Sequence, residues 1–105
     1  MSRLADQIFR AVADPSRRRM LAILEKEELP LKRILARFRM SRPAVIKHMR
    51  VLKSCKLVRV RRQGRQMMHR LDPRPLAAVR DWVLVFDRFW DQHLARLKEQ
   101  VESRP

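Results

Sequence analysis

With 105 residues, 46% of them hydrophobic and 35% charged, the chain has material for one compact domain with its own core, and not for two. Almost all of its net charge of +15 comes from residues 31–70, which hold fourteen Lys/Arg and no acid; such a run can be a solvated face, but its self-repulsion is best tolerated where a polyanion is bound. The single cysteine, Cys55, excludes an internal disulfide and a one-chain thiolate cage. The longest apolar stretch, Trp82–Phe86, is far short of the roughly 20 residues of a membrane span, and no signal-peptide pattern opens the chain, so a cytoplasmic protein without a membrane partner is expected.

Leu4, Ile8 and Val12 recur at helical spacing and predict a first amphipathic helix ending near Ala13. Asp14 and Pro15 supply an N-cap and a first-turn proline for a second helix, whose buried side is Met20, Leu21, Ile23 and Leu24. Leu29–Leu31 reads as a short extended link, because Pro30 fixes its own backbone and keeps its predecessor out of helix. Leu31, Ile34, Leu35 and Phe38 mark a third, short helix. Ser41 caps a fourth, with Pro43 in its first turn and Val45, Met49 and Leu52 facing inward. Two short helices about three residues apart make a helix-turn-helix.

After Ser54 the period turns from helical to alternating. Leu57, Val58 and Val60 lead into a hairpin that returns over Gln66–Leu71, with the only glycine, Gly64, at the tip. This is a β-wing. Asp72, Pro73 and Pro75 then open a helix expected to run from about 73 to 102, roughly 45 Å at 1.5 Å per residue.

On the fourth helix, the side opposite Val45, Met49 and Leu52 carries Pro43, Ile46, Lys47 and Arg50. Arg42 lies in the first turn, where a guanidinium can grip guanine, and Ile46 can meet a thymine methyl. With Ser41 at the cap and Arg61, Arg62, Gln63 and Arg65 on the wing, these are the candidate DNA-binding residues. A solvated helix with one stray isoleucine is the plainer alternative. His48, at the edge of the inward side, fits a packed histidine as well as a phosphate contact, and Cys55 fits a small buried hydrophobe better than a redox switch.

The motifs ADPSRRRMLAIL, SRPAVIKHMRVLK, LVRVRRQGR and RLDPRPL, in this order, resemble the ArsR-type family of winged-helix repressors over about nine tenths of the chain. The resemblance implies a dimer built from the first and last helices, a fourth helix in the major groove, a wing along the backbone or minor groove, and release by an inducer, small molecule or protein. Five departures stand out. Arg39 and Lys56 occupy positions where relatives commonly have glycine, and a left-handed backbone at either would cost about 1 to 2 kcal/mol. Met68 and His69 stand where the second wing strand usually carries tyrosines, and Ile46 where a small or polar residue is usual.

The family is also known for metal sensing. The third helix, within LPLKRIL, offers no ligand, and Asp91 and His93 give half of a last-helix pattern whose remaining positions fall on Arg104 and Pro105. No metal site, no cofactor and no enzyme signature is expected.

The expected architecture is therefore mainly α with a small β-wing, one winged helix-turn-helix domain over 1–105 in which the long first and last helices form a dimer interface. Leu4, Ile8 and Val12, with Trp82, Phe86, Phe89, Trp90, His93, Leu94, Leu97 and Val101, are the interface candidates, because the last helix carries more apolar arc than one small core can bury. The function expected is a sequence-specific regulator of transcription, a repressor that binds duplex DNA at a palindromic operator as a homodimer. A nonspecific or architectural nucleic-acid binder is the main alternative; a protein-docking module built on the aromatic last helix is the other.

Overall fold

The computed structural model describes residues 2–102. Helices α1 (Arg3–Ala13) and α2 (Pro15–Lys26) lead to a two-residue strand β1 (Leu29–Pro30) and a one-turn helix α3 (Leu31–Leu35). Helix α4 (Arg42–Ser54) follows, then strands β2 (Val58–Gln63) and β3 (Gln66–Leu71). A 3-10 turn at Arg74–Leu76 opens helices α5 (Ala77–Leu84) and α6 (Asp87–Glu102).

One residue serves two helices at the first corner. Asp14 ends α1, and its carboxylate accepts the Arg17 backbone N–H at 2.9 Å as the N-cap of α2, ahead of Pro15. The carbonyls left open at the end of α1 are met by the arginines that follow. Arg17 donates to Ala11 and Arg10 at 2.8 and 3.0 Å, and Arg18 to Val12 and Ala13 at 2.8 and 3.0 Å.

The core gathers Ile8 and Ala11 of α1, Met20 and Leu24 of α2, Ile34 of α3, and Val45, Met49 and Leu52 of α4. Phe38, expected in the third helix, lies beyond it: α3 stops at Leu35 and the chain leaves through the tighter bonds Arg37 N–H to Ile34 and Phe38 N–H to Leu35. Phe38 is nevertheless buried, and the Arg19 guanidinium lies 4.9 Å from its ring centre.

Helix α4 closes in a Schellman motif, with Lys56 N–H on the Lys53 carbonyl and Leu57 N–H on that of Leu52. Lys56 takes the left-handed position of that motif at φ 63°, where glycine is free of strain. Arg39 does not share this conformation, so of the two positions lacking glycine only Lys56 carries the cost.

The extended link proves to be an edge strand. Leu29 pairs with His69 and Pro30 with Met68, giving a three-stranded antiparallel sheet of order β1-β3-β2. The wing itself turns in two residues, with Gly64 at φ 62° in the first central position. The register fixes two faces. Val58, Val60 and Arg62 share one with their partners Leu71, His69 and Met67, while Arg59, Arg61 and Gln63 share the other with Arg70, Met68 and Gln66.

The last helix is not the single rod expected over 73–102. Asp72 is buried, accepts the Arg74 backbone N–H at 3.1 Å, and directs the chain into the 3-10 turn before α5 begins. At Val85 and Phe86 the backbone bonds shorten again, reaching Trp82 and Val83 three residues back. No proline or glycine sits there; Val85 keeps helical angles, so the interruption is a tightening of the bonds. Every residue from Arg80 to Glu102 is exposed.

Candidate nucleic-acid interface

The outward side of α4 is built by the cap and the core together. Ser41 accepts the Ala44 N–H at 3.3 Å and starts the helix, and burial of Val45, Met49 and Leu52 fixes which side is left out. Arg42, Pro43, Lys47 and Arg50 are exposed on that side, with Ile46 half-buried among them. Among the described residues, Arg42, Lys47 and Arg50 hold no internal hydrogen bond or ion pair. Their donors are left for a ligand.

The wing cations divide instead of acting as one set. Arg65, at the tip, has no internal partner among the described residues, and Arg62 bonds only the nearby Gly64 carbonyl at 3.2 Å. Arg61 is committed. Its Nε and Nη2 donate to the two oxygens of Glu28 at 2.6 and 2.9 Å, and Nη2 also donates to the Gln63 side chain at 2.8 Å. These bonds hold the Glu28 carboxyl below the usual carboxylate range. Arg61 and Gln63 thus brace the sheet, on the opposite face from Arg62.

His48 is turned to the α1–α2 corner, not outward. Its Nδ1 lies 3.3 Å from Nη1 of Arg17 and 3.8 Å from the Asp14 carboxylate. His69, by contrast, is enclosed in the sheet, where burial pushes its imidazole below its ordinary value. Cys55 is buried, bonds the Leu52 carbonyl at 3.5 Å, and has its thiol pushed up by burial.

The interface candidates separate by burial. Ile8 is 2% exposed and belongs to the protomer's own core, and Val12 packs against that core. Leu4, Trp82, Phe86, Phe89, Trp90, Leu94, Leu97 and Val101 are exposed. Phe9, not singled out from the sequence, meets Trp82 edge-on at 6.0 Å and ties α1 to α5. His93 stacks on Phe89 with centroids 5.4 Å apart. Among the described residues no three His, Cys, Asp or Glu side chains converge; Arg104 and Pro105 lie outside the described residues. No helix of the described residues is long and apolar enough to cross a membrane.

Sequence reasoning also missed the second task of Arg17 and Arg18. Three arginines after a helix-initiating proline signal basicity, whereas their reach back to the preceding helix depends on a corner with no loop.

A helix-turn-helix whose second helix exposes a basic side, followed by a β-wing, is the arrangement of the winged helix-turn-helix class of transcription regulators. A model of that description, a helix-turn-helix domain, matches residues 12–61. The chain is 35% identical over 101 residues to the HTH-type transcriptional regulator Rv2034 of Mycobacterium tuberculosis, covering 96% of this chain and 92% of that one. It is 27% identical over 89 residues to the transcriptional repressor SdpR of Bacillus subtilis, covering 85% and 99%. Its fold matches an ArsR-like transcriptional regulator from Rhodococcus sp. RHA1 with a TM-score of 0.75 at 26% identity, covering 97% and 94%. The chain belongs to the ArsR-type family of winged helix-turn-helix transcriptional regulators.

Proposed function

We propose that the protein is a homodimeric repressor that reads a palindromic operator with α4 and grips the flanking backbone with its wing. The observation that carries the reading is the outward side of α4, where Arg42, Lys47 and Arg50 stand exposed without internal partners around Ile46. Cations held this way have donors to spare for base edges and phosphates. Arg62 and Arg65 extend the same field along the wing.

Dimerisation is the part of the reading supported by α5 and α6. Trp90, Leu94 and Val101 are 45%, 57% and 69% exposed, and covering such side chains contributes about 1.5 to 3 kcal/mol each. A second copy presents the same stripe, so a two-fold pairing buries both at once. Two α4 helices related by that axis would meet half-sites about one helical turn, roughly 34 to 36 Å, apart or a multiple of it. An inducer, small molecule or protein, would act by disturbing this arrangement.

The test is footprinting on DNA upstream of the protein's own gene, followed by titration of the protected duplex and a scrambled one. A protected site preferred by more than about 10³-fold supports the repressor. A smaller ratio gives the function to nonspecific nucleic-acid binding instead.

A further inference from the structure

Arg17 uses its whole guanidinium. Two of its nitrogens hold the last carbonyls of α1, at Ala11 and Arg10, and the third, Nη1, lies 3.3 Å from Nδ1 of His48 on α4. A guanidinium stays protonated in a protein and has no lone pair to offer, so it can only donate. Nδ1 is therefore the accepting nitrogen, and the single ring proton of neutral His48 is on Nε2. The same Nδ1 lies 3.8 Å from Oδ2 of Asp14, which can only accept. The backbone N–H of Arg17 keeps the Asp14 carboxyl below its usual range, and so in its charged form. One nitrogen faces a donor and an acceptor, and it can serve only one of them in each protonation state.

We propose that Arg17 and His48 are a positioning pair for α4: with His48 neutral, the pair ties the DNA-facing helix to the end of α1, and a proton taken up on Nδ1 breaks the tie and turns the ring to Asp14. Protonation sets an imidazolium against a guanidinium that has no other partner for Nη1, while the bonds from Arg17 to α1 stay in place. The strain therefore falls on α4, at a residue one position beyond Lys47 and two before Arg50. Among the described residues, Asp14 and Arg17 are the charged groups in hydrogen-bond or ion-pair contact with the ring; β2, which also packs on α4, contributes none. The inference rests on the DNA-binding reading for its consequence, though not for its geometry.

Two measurements separate those levels. In the free protein, ring 15N shifts at pH 8 are expected to show the Nε2–H tautomer for His48, and the Ile46 and Lys47 amides are expected to move with the His48 ring signals as the pH is lowered to 5.5. In DNA titrations, affinity for the protected duplex is expected to fall about three- to tenfold from pH 8 to 5.5, a typical size for coupling through packed contacts. His48→Gln, whose side-chain oxygen accepts from Arg17 but takes no proton, should hold its pH 8 affinity across that range. His69 and His93 are the same in both proteins, so the comparison with His48→Gln isolates the switch. An Nδ1–H tautomer at pH 8, α4 amides that ignore the titration, or superimposable pH profiles would overturn the proposal. If no duplex is bound at all, the DNA reading fails alone and the ring and amide shifts still decide this one.

Discussion

Arg61 of β2 reaches over β3 to Glu28, laying Nε and Nη2 2.6 and 2.9 Å from the two carboxylate oxygens. On the same face Arg59 and Arg70 are directly opposed, a like-charge pair that costs stability, and Asp72 offsets part of it by accepting from Arg59 at 3.2 Å. Glu28 and Asp72 therefore pair with Arg61 and Arg59, and Arg62 and Arg65 are left without an acidic partner among the described residues.

This division predicts opposite results for two arginines only four residues apart. Arg65→Ala should weaken binding to every sequence and lower the slope of log K against log salt by about 0.9 per subunit for each phosphate that the side chain neutralises. Arg61→Ala should leave that slope nearly unchanged, whereas Glu28→Gln, which frees Arg61, should raise it. Equal slopes for Arg61→Ala and Arg65→Ala would mean that the Glu28 pair opens when DNA binds.

Arg42→Ala should behave differently from either. Its side chain leaves the first turn of α4 without an internal partner, so its removal should cost about 1 to 3 kcal/mol on the operator and relax discrimination at one base pair per half-site. Nonspecific duplex should bind nearly as before. Equal weakening on both duplexes would take α4 out of the reading role.

Leu94→Glu combined with Leu97→Glu should leave the protomer folded, because both side chains are exposed in it. Sedimentation at micromolar concentration should then show a monomer in place of the dimer proposed for the wild type, with helix content close to wild type. A wild type that is itself monomeric removes the interface.

Lys56→Gly relieves the one left-handed non-glycine residue among those described. Some of the gain is offset by the flexibility glycine adds to the unfolded chain and by removal of a cation at a helix C-terminus. A net stabilisation of up to about 1 kcal/mol is expected, read as a shift of the urea midpoint with an unchanged slope. A lower midpoint would show that Lys56 holds something besides the turn.

Asp72 sets an acid limit. Hydrogen bonds from Arg74, then from Arg59, hold its carboxyl far below the ordinary carboxylate value. A depressed folded-state value adds stability that is full above the unfolded value, near 3.9, and is lost as pH falls toward the folded one. Asp72→Asn should therefore be less stable at pH 7 and should show a flatter loss of stability below about pH 4. Parallel acid-unfolding curves for the two proteins would contradict this.

The helix order, the wing and which side of α4 is left exposed were legible because each rests on periodicity or on a residue with one local use, such as Gly64 at the tip or Ser41 at the cap. Lys56 was legible as well, since a lysine where glycine is usual points straight to a left-handed turn. What the sequence hid depends on partners distant along the chain. A two-residue strand such as Leu29–Pro30 has no period to read, and its pairing with His69 and Met68 exists only once the wing has folded. The tightening at Val85–Phe86 lacks proline or glycine, so no residue announces it. Ile8 looked like an interface residue because a helical stripe does not say which of two surfaces it faces.

The two-residue tip gives the wing a count as well as a composition. Strand side chains alternate with a period of two, so one residue inserted between Leu57 and Arg61 would send every later side chain of β2 to the other face. Placed ahead of Val60, it would carry Arg61 to the face away from Glu28 and bring Val60 opposite Met68, off the side where it now lies beside His69. A charge on this wing can be exchanged without moving its neighbours, whereas Arg61 keeps Glu28 and Arg62 keeps the opposite face only while the number of β2 residues ahead of them keeps its parity.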